Sequence, residues 1–236
     1  MLVSHTYKFI YLKTIKTGGT STEVFLQGAI EAPGTDIIDA TQMRDDAAGI
    51  VGFRGDVSQL DEPPRWFNHM PAAAVRKNLE SEIWRDYTKI GNIRNPFGRA
   101  VSAFYQQHRA GRFEMPEDFS DAKDLFSRYI TSEKYNTYKS IVFIGPDFVL
   151  DDVIFYERLA QDIARVCASL GFEQSLERLP HYKKTTALHS EQPTAAFYSR
   201  ETEDAVKAKE GWCFERFGYS LDPACADDLP AHANQP

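Results

Sequence analysis

Phe9-Ile10-Tyr11-Leu12, followed after three residues by Lys16-Thr17-Gly18-Gly19-Thr20-Ser21, is the stretch on which the fold turns. The apolar run reads as a buried strand, the glycine pair as a tight turn, and residues 20–30 as a helix. Adjacent glycines let the backbone aim several N–H groups at one anion, and the start of a helix brings the positive end of its dipole to the same point. Lys16 adds a mobile positive charge; Thr17, Thr20 and Ser21 add hydroxyl donors. A phosphate-type cradle between strand and helix is the expectation. It is not the nucleoside-triphosphate loop G-x-x-x-x-G-K-[ST], because the lysine precedes the glycines and no glycine lies four or five residues upstream.

A second motif runs from Ile90-Gly91-Asn92-Ile93-Arg94 through Asn95-Pro96-Phe97-Gly98-Arg99 to Ser102. A strand over 88–94 ends at Arg94, Asn95 caps a helix over 96–110, and Pro96 suits its first turn. On that helix Arg99, Ser102, Gln106 and Arg109 fall at i, i+3, i+7 and i+10 and share one face. Arg94 and Ser102 are placed to grip a second phosphate, the arginine by its planar fork and the serine by its hydroxyl.

Together the two motifs resemble the sulfotransferase family, in the branch of carbohydrate O-sulfotransferases and their bacterial relatives. The resemblance implies that Lys16, Thr17, Gly18, Gly19, Thr20 and Ser21 bind the 5′-phosphosulfate of 3′-phosphoadenylyl sulfate (PAPS), and that Arg94 and Ser102 bind its 3′-phosphate. Three later segments are similar to family segments: Val153-Ile154-Phe155-Tyr156-Glu157-Arg158-Leu159, Leu179-Pro180-His181-Tyr182-Lys183-Lys184-Thr185 and Phe217-Gly218-Tyr219. The resemblance thus spans 7–219. Lys183 and Lys184 would close over the nucleotide, although the family loop often has Asn where Lys183 stands; two solvated lysines in a turn are the alternative.

Charge patterning agrees with one polyanionic ligand. The chain has 34 Asp+Glu against 27 Lys+Arg, a formal net charge of -7. Yet residues 1–22, 92–112 and 181–190 contain basic residues and no acid. An acidic protein with acid-free basic windows at these motifs focuses potential on one site. Nucleic acid is a poor fit, because no long basic stripe occurs. At 236 residues and 42% hydrophobic content, the chain can bury a substantial core. No apolar run approaches the roughly 20 residues of a membrane span, and no secretory signal is visible. Cys167, Cys213 and Cys225 lack C-x-x-C spacing, and Cys167 falls in an apolar helical pattern. A cytoplasmic, bacterial enzyme is expected.

The order of elements predicts an α/β protein: a P-loop-like three-layer fold with a central, mainly parallel sheet flanked by helices. The expected elements are strand 7–12, helix 20–30, an irregular insertion or substrate loop at 31–65, helix 71–80 and strand 88–94. Helices 96–110 and 120–136, strands 140–144 and 152–156, and helices 158–171 and 194–211 follow. Residues 1–219 are expected to form one domain and 220–236 a disordered tail.

Sulfuryl transfer demands in-line attack by an acceptor hydroxyl and stabilisation of a leaving oxygen. Lys16 is the expected stabiliser, helped by backbone N–H groups of 18–21. No metal is required, and the sequence has no metal-binding spacing. The general base is assigned to His69 in Trp66-Phe67-Asn68-His69-Met70-Pro71, since the resembling glycan enzymes carry a basic histidine in this region. His108, Glu23 and Glu114 are the competitors, Glu23 reading more simply as a first-turn acid of the helix. The product would be 3′-phosphoadenosine 5′-phosphate, and the acceptor a carbohydrate or glycoconjugate hydroxyl. A P-loop-type ATP-dependent kinase and a non-catalytic nucleotide-binding protein are the alternatives.

Overall fold

In the computed structural model, which describes residues 1–32, 34–55, 60–62, 64–180 and 188–233, the chain groups into two compact units. The first comprises Met1–Ile93 with Tyr138–Tyr182, the second Arg94–Thr137 with Lys183–Pro236.

The first unit is built on a mixed sheet flanked by helices. Its elements are β1 (Leu2–Ser4), β2 (Phe9–Leu12), α1 (Gly19–Gln27), β3 (Arg44–Asp46), β4 (Gly49–Val51), α2 (Ala72–Asn78), α3 (Ser81–Asp86) and β5 (Thr88–Ile93). The chain leaves for α4 (Pro96–Arg109) and α5 (Phe119–Thr131) of the second unit. It returns with α6 (Lys139–Val142), β6 (Phe143–Ile144), β7 (Asp147–Phe148), β8 (Asp152–Phe155) and α7 (Leu159–Leu170), and α8 (Arg200–Phe217) belongs to the second unit.

Among the described residues the sheet has six strands in the order β3-β4-β1-β2-β5-β8. β2, β5 and β8 are parallel, with Leu12 opposite Gly91 and Ile93 opposite Phe155. β1 is antiparallel to both β2 and β4, and β4 to β3. Register and strand alternation place Leu2, Tyr11, Val51, Ile90 and Ile154 on one face. There they join Phe25 and Leu26 of α1 and Ile163, Val166 and Cys167 of α7 in one buried cluster. All of β2 is buried, the behaviour of a continuous apolar run inside a sheet.

Several expectations are corrected. The parallel arrangement covers only the β2-β5-β8 half. Residues 31–65 are not wholly irregular, because they contain the β3-β4 hairpin. Its strands are three residues each and β3 reads Arg-Asp-Asp, so backbone pairing alone marks it as sheet. Residues 140–144 split into one turn of helix and a two-residue strand whose partner is β7, outside the main sheet. A short apolar run does not distinguish helix from strand by itself. The helix expected at 194–211 begins only at Arg200, where Ser199 and Thr202 form a capping box, and runs to Phe217. Residues 220–233, expected as part of a disordered tail, hold a 3-10 turn at Pro223–Cys225 and bury Pro223 and Ala226.

In the second unit α4, α5 and α8 pack on one another around Phe97, Phe104, Phe126, Phe197 and Tyr198. As expected, Pro96 opens α4 and Asn95 caps it, its Oδ1 accepting from Phe97 N at 2.9 Å. Arg99, read on one face with Ser102, Gln106 and Arg109, is turned to the interior of this unit. It is 1% exposed, ion-paired with Glu210 of α8, and donates to the Tyr135 hydroxyl at 2.7 Å. Tyr135 and Thr137 hydroxyls donate to the two Glu210 oxygens at 3.2 and 3.1 Å. Removing one partner leaves a buried charge uncompensated, whereas an apolar pair would not. Arg99→Leu is therefore expected to lower stability by about 3–5 kcal/mol in urea unfolding, and the double variant Arg99→Leu/Glu210→Leu by much less.

Candidate anion cradle and its neighbouring histidine

Between β2 and α1 the backbone turns through two left-handed residues, Lys16 (φ 65°) and Gly18 (φ 80°). Gly18 adopts this conformation without penalty, and a Cβ on it would come within 3.2 Å of Tyr156 Cδ2. Gly19 needs its hydrogen for a different reason: a Cβ would lie 3.1 Å from Thr14 O, 3.2 Å from Lys13 Cγ and 3.3 Å from the Tyr11 hydroxyl. Among the described residues no side chain caps α1, and no acid stands in its first turn.

Buried polar bonds fix this turn to the sheet. Thr14 Oγ1 donates to Asn92 O at 2.6 Å, so the 2.6 Å contact between the two threonine hydroxyls is donated by Thr17. The Thr17 hydroxyl therefore ties the loop to its base. Tyr11 OH donates to Asn92 Oδ1 at 2.6 Å, and Asn92 Nδ2 donates to Thr22 Oγ1 at 2.9 Å. Of the other polar residues of the loop, Lys16 and Thr20 are half-buried and Ser21 is buried.

Behind the cradle lies a charge cluster that the sequence reading missed. Glu23 is in the second turn of α1, not the first, and is fully buried. Lys13 Nζ lies 2.7 Å from one of its oxygens, Arg54 Nη1 3.6 Å from that same oxygen, and the Met1 amine 2.5 Å from the other. Burial alone would raise the Glu23 pKa, but the three cations outweigh it and hold it down at about 2. The available signal was that Glu23 is the first acid of the chain, after three lysines.

His69 adjoins this cluster. Its Nδ1 is 3.1 Å from Lys13 O, and Lys13 Nζ donates to Asn68 Oδ1 at 3.3 Å. A carbonyl only accepts, so Nδ1 carries the proton and Nε2 is the proton-accepting nitrogen. His69 sits at φ 58°, a strained conformation for a non-glycine residue. Burial, then the Lys13 charge, pushes its pKa down to about 4, so the ring is neutral at pH 7. His108, by contrast, places Nδ1 3.1 Å from Phe113 O on α4 of the second unit.

The second motif is divided by the unit boundary, Ile93 closing the first unit and Arg94 opening the second. A Cβ on Gly98 would fall 3.3 Å from Arg94 Nε, so the guanidinium lies over the first turn of α4. Ser102 is one turn further along the same stripe and half-buried, so Arg94 and Ser102 share a face of α4. Lys183 and Lys184 lie outside the described residues. No protein-family model, curated protein or solved structure matches this chain.

Two clefts of the first unit lie away from the cradle: one of about 580 Å³ beside Phe25 and Cys167, one of about 540 Å³ beside Trp84 and Arg76. Among the described residues no group of His, Cys, Asp and Glu could hold a metal ion, and no helix is long and apolar enough to cross a membrane.

Two outcomes follow from this geometry. Gly19→Ala is expected to displace the loop and weaken anion binding while the far-ultraviolet circular dichroism stays native. In acid, His69 gains its proton near 6.5 when unfolded but near 4 when folded, so stability falls as pH drops through that window. Glu23 extends the loss from its unfolded value of 4.5 down toward 2. His69→Gln is expected to remove the upper part of the loss, up to about 3 kcal/mol, in urea unfolding compared across pH, and to leave the lower part in place.

Proposed function

We propose that this chain is a sulfotransferase with a P-loop-like nucleotide site, moving a sulfuryl group from PAPS to a hydroxyl of a carbohydrate or glycoconjugate. The observation that carries the reading is the strand-to-helix turn with Lys16 and Gly18 both left-handed and Gly19 pressed on Thr14 O. Such a turn directs backbone donors and one lysine toward an anion at a helix start. The cationic loop fits the 5′-phosphosulfate; within the second unit, Arg94 and Ser102 on one face of α4 suit a phosphate.

When bound, PAPS supplies the sulfuryl group and a phosphate as leaving group. Lys16 and the N–H groups of the first turn of α1 stabilise negative charge developing at the cradle. Neutral His69 accepts the acceptor hydroxyl's proton at Nε2, and its Nδ1–H bond to Lys13 O holds the ring while it becomes cationic.

A thermal-shift titration with 3′-phosphoadenosine 5′-phosphate, with ATP and Mg²⁺ in parallel, tests the donor. A clear upward shift with the 3′-phosphorylated nucleotide and none with ATP is expected; a shift only with ATP and Mg²⁺ would replace this reading with a kinase. Lys16→Ala and Arg94→Ala are each expected to weaken nucleotide binding about tenfold or more by calorimetry. His69→Ala is expected to cut turnover about 100-fold or more and leave nucleotide affinity unchanged.

A further inference from the structure

Lys13 bonds to the 68–69 segment at two points. Its carbonyl accepts from His69 Nδ1 at 3.1 Å, and its ammonium donates to Asn68, the preceding residue, at 3.3 Å. Lys13 is itself buried and held by Glu23 at 2.7 Å. The 66–70 segment is anchored independently on its other side. Phe53 N donates to Trp66 O at 2.9 Å, Asn68 N donates to Phe53 O at 3.0 Å, and Trp66 Nε1 donates to Asp45 at 2.8 Å. Between those anchors His69 is kept at positive φ, a conformation that relaxes unless its surroundings over-determine it.

We propose that Lys13 and Asn68 are positioning residues for His69, clasping the 68–69 segment so that the imidazole keeps its Nδ1–H tautomer and offers Nε2 as the base. The clasp connects the base to the cradle, because Lys13 is three residues before Lys16 on the same loop and Glu23 is on the helix that loop opens. The charged groups around the ring are the Lys13 ammonium and the Met1 amine, which oppose its protonation, and Glu23, which favours it. Lys13 thus also keeps the ring neutral, as a base must be before it receives a proton.

The structural part of this inference stands apart from the sulfotransferase reading; only its kinetic arm rests on that reading. The test is nitrogen-15 NMR of the His69 imidazole in the full chain, titrated with pH. The wild type is expected to show the Nδ1–H tautomer and a depressed titration midpoint. Lys13→Met is expected to raise the midpoint by about one unit, and Lys13→Arg to keep it low by restoring the charge. Asn68→Ala leaves the ion pair intact and decides the matter should Lys13→Met fail to fold; it is expected to mix the two tautomers. An Nε2–H tautomer in the wild type overturns the proposal, as does a spectrum and midpoint unchanged in both Lys13→Met and Asn68→Ala.

In turnover, Lys13→Met is expected to lower kcat and move the acid limb of its pH profile up by the same unit, with the nucleotide KM unchanged. Normal His69 titrations without sulfuryl transfer to any saccharide would refute the function and leave the clasp standing. Turnover with an unaltered acid limb in Lys13→Met would refute the clasp and leave the function.

Discussion

A carboxylate with no exposure, Glu23, sits on α1 between the Lys13 ammonium, the Arg54 guanidinium and the Met1 amine. Burying that charge alone would cost several kcal/mol, so the helix can hold it there only if the cations arrive too. They come from the loop after β2, from the segment beyond β4 and from the start of β1. Each of these must reach its place for the others to be tolerated. The same constraint ties the loop after β2 to the 66–70 segment, because the Lys13 ammonium bonds to both Glu23 and Asn68.

On that foundation the loop can be held in conformations that a chain does not choose freely. Lys16, Gly18 and His69 all have positive φ, and two of the three are not glycine. Such residues persist where packing and hydrogen bonds leave no alternative. The polar chain from Thr17 through Thr14 to Asn92, and from Tyr11 through Asn92 to Thr22, supplies the bonds without leaving its buried atoms unpaired.

The second unit solves a related problem differently. Arg99 and Glu210 neutralise each other inside a helical packing of aromatic rings, with Tyr135 and Thr137 satisfying the remaining lone pairs. Arg94, five residues earlier, lies over Gly98, where the missing side chain leaves room for its guanidinium. Two arginines of one motif therefore have different duties: one locks α4 to α8, the other lies along the face that carries Ser102.

The strand Phe9–Leu12, the glycine turn, the α4 start at Asn95-Pro96 and the parallel β2-β5-β8 core were legible from the sequence. Each depends on local physics: apolar runs, glycine's freedom at positive φ, an asparagine cap and proline's fixed φ. The β3-β4 hairpin, the Lys13-Glu23-Arg54 cluster, the clasp on His69 and the burial of Arg99 were not legible. A three-residue charged strand has no periodicity to read, and an ion pair between residues 13, 23 and 54 has no spacing rule. Sequence by itself determined which segments could turn, cap and bury. Only the tertiary structure decided which charges face each other, because desolvation and Coulomb attraction act through space, between groups the chain keeps far apart.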